Sequence, residues 1–182
     1  RYLTAIRKLT AKLGLESAFD SDFIKRFEAN SEIQDSMIVL MSDAFGKADN
    51  FLKVSDRKSV SALVLGGGWI ESLYFSCELN NKKTSDKMLR RIGEQKETLS
   101  TLIDLLTEYN KGQKSDQLIA DLEDLMASFE KIDLKYEYEA PETDEKEKMT
   151  TLTHRLTVTI SDAVLNEIRT KITSIRNNII KA

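Results

Sequence analysis

The stretch Val60-Ser-Ala-Leu-Val-Leu-Gly-Gly-Gly-Trp69-Ile-Glu71-Ser-Leu-Tyr74-Phe-Ser-Cys77 decides the fold. Val60, Leu63, Val64, Gly67, Ile70, Tyr74 and Cys77 fall at helical spacing along one side of it. Leu65, Trp69, Leu73 and Phe75 cover much of the remainder. A helix apolar nearly all round belongs inside a bundle, so the spacing predicts a helix over about 57–80 at the centre of the molecule. Glu71, three serines and three consecutive glycines make the run too polar for a good membrane span. Each of Gly66, Gly67 and Gly68 costs up to about 1 kcal/mol of helix propensity against Ala. A stretch that accepts this is expected to meet close approach by a neighbouring helix or a ligand, or to kink.

On the N-terminal side, Tyr2, Ile6, Leu9 and Leu13 are spaced 4, 3, 4 on one helical face, and Gly14 is placed to end that helix. Ser21 or Asp20 is placed to cap a short helix carrying Phe23, Ile24 and Phe27. Ser31-Glu32-Ile33-Gln34 has the form of a capping box. After it Ile33, Met37, Leu40, Ala44, Ala48 and Phe51 form a stripe. Ile38, Met41, Phe45 and Leu52 widen it, so a broad buried face is expected.

On the C-terminal side, Met88, Ile92, Gln95, Leu99, Leu102, Leu106 and Tyr109 alternate spacings of 4 and 3, a heptad with one polar member, in a helix over 86–110. Leu118, Leu122, Leu125, Phe129 and Ile132 repeat the pattern over 115–132. The period then changes to two: Leu134, Tyr136 and Tyr138, and later Leu152, His154, Leu156, Val158 and Ile160, alternate with polar residues. Two strands near 134–138 and 152–159 are predicted to pair as an antiparallel ribbon, with helix over 143–158 as the alternative. Between them Ala140 to Thr150 holds the sole proline, Pro141, in a dense acid–base mix and reads as a long mobile loop. Ser161 or Asp162 is placed to cap a last helix with Leu165, Ile168, Ile172, Ile175 and Ile179 on one side. The expected fold is all-α: a single domain over 1–182, an antiparallel helical bundle of about four long helices with short terminal helices and the two-stranded β ribbon.

Composition narrows the function classes. One Pro and 7 Gly in 182 residues leave little turn material for a β sandwich. Charged residues make up 31% and net charge is −3, with cations scattered, so no nucleic-acid partner is expected. One Cys, Cys77, cannot form an intrachain disulfide, and a single His, His154, does not supply a zinc ligand set. No metal or other cofactor is expected. The glycines lack the strand before and the Gly-Lys-Ser/Thr after that a phosphate loop requires.

Glu71 is the principal candidate, a carboxylate in the most apolar helix that needs a partner. Gln95, a Tyr hydroxyl, Arg90 and Arg91 are the partners the sequence offers. A structural polar contact is the plain alternative to a ligand-binding carboxylate beside the glycines. Trp69, Tyr74 and Gly67 would line a cavity there, and Gln95 either fixes helix register or reaches the same ligand. The candidate ligand-binding set is Gly67, Trp69, Glu71, Tyr74 and Gln95, with no catalytic residues assigned. Tyr136, Tyr138 and His154 on the ribbon would either meet a partner or pack on the end of the bundle.

The segment Val60 to Tyr74, with Ile92-Gly-Glu-Gln95-Lys and Ile175-Arg-Asn further on, resembles an uncharacterised bacterial family of all-helical proteins. Members are exported, often lipid-anchored, and carry a small-Gly-Trp-(Val/Ile)-Glu-x-Leu-Tyr segment. The resemblance implies a periplasmic or outer-membrane-anchored location, with membrane contact only through an N-terminal lipid anchor upstream of Arg1. It implies no activity. The expected function is therefore a non-enzymatic envelope-associated lipoprotein binding an unknown protein or small ligand. The alternatives are the ligand-sensing domain of a larger membrane receptor and, last, an enzyme using Glu71.

Overall fold

A computed structural model describes residues 8–82, 85–112, 114–144, 146, 148–151 and 154–181. Tyr2 and Ile6 of the N-terminal face and Leu152 of the second strand lie outside the described residues. Among the described residues seven α-helices and four short strands are delimited, a mostly all-α bundle with a small β ribbon, as the periodicities require. The Cα framework divides into two compact units, Arg1–Val64 and Leu65–Ala182.

In Arg1–Val64, a helical stretch over 8–12 ends at Gly14, whose φ of 65° lets the Leu15 N–H reach back to the Thr10 carbonyl at 2.8 Å. A 3₁₀ turn, Glu16–Ala18, leads to α1 (Ser21–Ala29). Asp20 caps α1, its carboxylate accepting from the Phe23 N–H at 2.6 Å. The capping box at Ser31 does not form. The chain is extended at Ile33, and α2 (Gln34–Val54) begins two residues later than expected with no side-chain cap. The stripe of α2 is also narrower than its sequence suggests. Leu40, Ala48 and Leu52 are buried, while Ile33, Ile38, Met41 and Phe45 are exposed. Beyond α2, Asp56 takes a left-handed φ of 56°, and the N–H of Arg57 bonds the Leu52 carbonyl at 2.7 Å, closing the helix in a Schellman turn. Leu15, Ala48 and Leu52 form the core of this unit. The buried Ser61 hydroxyl donates to Asp49, which also pairs with Lys53.

The helix α3 (Lys58–Lys82) runs through all three glycines without a break. It is not the enclosed centre expected of it. Ala62, Ile70, Leu73, Cys77 and Asn80 are buried along one stripe, but Leu63, Leu65, Phe75 and Leu79 are exposed. By length and composition alone α3 is apolar enough to cross a membrane, a test that the core helix of a bundle also passes; 33% of its most apolar window is buried. Only part of the glycine expectation holds. A Cβ on Gly66 would meet Leu102 at 3.6 Å and Leu106 at 3.8 Å, ordinary contact with the helix that carries them, whereas a Cβ on Gly67 would meet nothing within 4 Å.

In Leu65–Ala182, the heptad helix divides at Glu94 into α4 (Asp86–Gly93) and α5 (Gln95–Tyr109). Ser85 caps α4, its hydroxyl accepting from the Met88 N–H at 3.3 Å. α5 buries Leu99, Leu102 and Leu106 and packs against α6 (Asp116–Phe129), which buries Leu122, Leu125 and Phe129. Strand β1 (Asp133–Tyr138) pairs antiparallel with β4 (His154–Thr159), from Asp133 opposite Thr159 to Tyr138 opposite His154. The stretch read as a loop holds a second antiparallel pair, β2 (Glu142–Asp144) with β3 (Met149–Thr151). Three residues, 139–141, separate β1 from β2 against two, 152 and 153, on the return, so the register slips by one. Pro141, which has no N–H to give a ladder, sits at that slip. The last helix, α7 (Asp162–Lys181), is capped by Ser161 and buries Ile168, Ile172 and Ile175, with Ile179 left exposed.

Candidate functional site

The candidate residues on α3 are brought into two separate contacts rather than one cavity. Trp69 and Gln95 meet directly: the indole N–H donates to Gln95 Oε1 at 3.0 Å. The Gln95 amide in turn donates to the Arg91 carbonyl at 3.2 Å. Both ends of this amide are engaged, which accounts for a polar residue in the heptad.

Glu71 finds its partner 105 residues away. Arg176 on α7 clasps it with two hydrogen bonds, Nε to Oε2 at 2.6 Å and Nη2 to Oε1 at 2.9 Å. The guanidinium also lies 4.4 Å from the centre of the Tyr74 ring. Hydrogen bonding to Glu71, then its charge, raises the Arg176 pKa against the opposing effect of burial. Of the partners offered by sequence, Gln95 is engaged by Trp69 and Arg90 bonds Glu94 at 2.8 Å. Arg176 carried only a weak signal, as a charge next to the buried Ile175 on the edge of an amphipathic helix. Gly67 is exposed and belongs to neither contact.

Other chemistry-bearing groups are held in the fold. Cys77 is buried, and desolvation pushes its thiol up to about 12. Tyr136 and Tyr138 stand 66% and 76% exposed, so neither ring is buried. The Glu167 carboxylate on α7 accepts from Lys131 at 2.8 and 2.9 Å and from the buried Ser128 hydroxyl at 2.9 Å. These bonds, Lys131 foremost, bring its pKa down to about 2. Among the described residues no group of three His, Cys, Asp or Glu could hold a metal ion.

A feature the sequence reading missed lies in Arg1–Val64. An apolar cavity of about 400 Å³ opens between the N-terminal stretch, α1 and α2. Phe19, Phe23 and Phe27 form one wall, with ring centroids 5.4 and 6.2 Å apart in succession. Leu9, Leu13 and Leu15 form another, and Met41, Ala44, Phe45 and Ala48 of α2 a third. Thr10 and Glu28 are the polar residues on its lining. None of Gly67, Trp69, Glu71, Tyr74 and Gln95 lines it. The signal for it was present in the oversized stripe of α2, which carries more apolar residues than the unit's core buries.

No family model, curated protein or solved structure matches this chain.

Proposed function

We propose that this chain is a non-enzymatic, envelope-associated binding module whose ligand is a small apolar molecule. The observation that carries the reading is the cavity in Arg1–Val64, whose volume of about 400 Å³ falls in the range of small-molecule sites. Its walls are aromatic and aliphatic, so the ligand's affinity comes from apolar area removed from water. The non-enzymatic part is supported by the state of the reactive groups. Both Glu71 oxygens already accept from Arg176, and a thiol with a pKa of about 12 is protonated at neutral pH. The envelope part rests on the resemblance of the segment around Trp69 and Glu71, and fractionation of cells expressing the full gene tests it. Recovery in the cytosolic fraction would remove that part alone.

The binding reading is tested with N-phenyl-1-naphthylamine, a dye that brightens in apolar surroundings. Saturable brightening at one site is expected, reduced in Ala44→Phe and unchanged in Glu71→Gln. Absence of saturable binding, or its loss in Glu71→Gln with Ala44→Phe unaffected, would overturn the assignment.

A further inference from the structure

We infer that the cavity takes a single alkyl chain, laid lengthwise along the helix rows that wall it. This rests on the binding reading above and narrows its ligand. Phe23 and Phe27 stand one turn apart on α1, and Met41, Ala44 and Ala48 run along one side of α2. Residues three and four apart share a helix face, so each row is a wall running parallel to its helix. From Met41 to Ala48 the α2 row extends about 10 Å at the rise of an α-helix. Ala44 and Ala48 end at Cβ, so they project less into the groove than the larger Met41 and Phe45 that line it with them.

The lining offers few polar atoms with which to orient a ligand by hydrogen bonding. Such a wall selects by buried area and by length. A hydrocarbon chain meets both demands, because each methylene it buries raises affinity about fourfold until the wall ends. The chain could arrive as a free fatty acid or as part of a bilayer lipid, and the two sources share the chemistry that the groove reads.

The experiment displaces bound N-phenyl-1-naphthylamine with a homologous series of fatty acids, hexanoate through tetradecanoate, and separately with phosphatidylcholine vesicles. Affinity is expected to climb about fourfold per methylene and then level off. Displacement by the acids alone identifies a free chain as the ligand. Displacement by vesicles as well, with the protein sedimenting alongside them, identifies a chain drawn from a bilayer. Affinity independent of chain length overturns the proposal while the dye-binding reading stands, and failure of the dye to bind removes both. Ala44→Phe should move the levelling point to shorter chains. Should circular dichroism find that variant unfolded, Met41→Lys replaces it: position 41 is 40% exposed, and a charge there should weaken every chain in the series. An unchanged series in the folded variant counts against the assignment.

Discussion

A methyl group on Gly93 would lie 2.4 Å from Cγ1 of Val158, closer than real Cβ atoms come. Val158 is β-branched and cannot swing aside cheaply. Gly93→Ala should therefore lower the stability measured by urea denaturation by about 1–3 kcal/mol, the usual range for overpacking. Adding Val158→Ala should recover part of the loss, and a neutral single variant would mean that the ribbon does not rest on α4. Gly67 is the opposite case. With nothing within 4 Å of its Cβ position, Gly67→Ala should raise stability by up to about 1 kcal/mol through helix propensity. A folded Gly67→Ala that loses stability would place an unseen neighbour at that face of α3. Glu71 and Arg176 belong together: Glu71→Gln and Arg176→Gln should each destabilise, and the double variant should fall short of their sum. Additive losses would deny that the two act as a pair.

At the scale of elements, the seam between α6 and α7 combines apolar burial with one polar cluster. Leu122, Leu125, Ile168 and Ile172 are fully enclosed there, each worth about 1.5–3 kcal/mol on burial. Glu167 adds specificity, joining α7 to Ser128 on α6 and to Lys131 just past its end. Its carboxyl titrates at about 2 in the fold against 4.5 for a free Glu, so the charged form is the one the fold favours. Its contribution is complete above about pH 4.5 and is lost as the pH falls through about 2. Urea midpoints followed from pH 5 downward, with Glu167→Gln alongside, should show the wild type losing its advantage across that window. A wild type and a variant falling in parallel would assign the acid sensitivity to other carboxylates. The ribbon is stabilised differently. A two-stranded ladder is marginal alone, and here Leu134 of β1 is half-buried while the β1 residues beyond it are exposed.

On the scale of the whole molecule, the chain builds two cores. Leu15, Ala48 and Leu52 make the first, in Arg1–Val64. The second, in Leu65–Ala182, includes Leu99, Leu122, Phe129 and Ile168. The first is small beside the apolar surface its helices carry, and the cavity is the result. A ligand that occupies it binds only the folded form, so it should raise the thermal midpoint followed by circular dichroism. At a free concentration one hundred times its Kd the gain is about 2.7 kcal/mol. No shift with a ligand that displaces the dye would mean that the dye reports on another surface.

What the sequence determined by itself was the set of elements. The 4, 3 spacing of Leu118, Leu122, Leu125 and Phe129, the period of two at Tyr136 and Tyr138, and Gly14 as a helix end were legible because they are set within a few residues of chain. The strand pair of Glu142–Asp144 with Met149–Thr151 is not legible in the same way, since one proline and a charged run read as a loop and conceal a pairing that depends on the partner's register. The capping box at Ser31 failed for a related reason: a motif states what the backbone can do, and the turn after α1 took the chain another way. Tertiary structure alone decided how much of each apolar stripe is covered. Nothing local to α3 distinguishes Ile70, which is buried, from Leu63, which is 42% exposed. Nor does anything near Glu71 point to Arg176. Burial and ion pairing are properties of surfaces brought together from distant parts of the chain, and the periodicity of one helix carries no record of its neighbours.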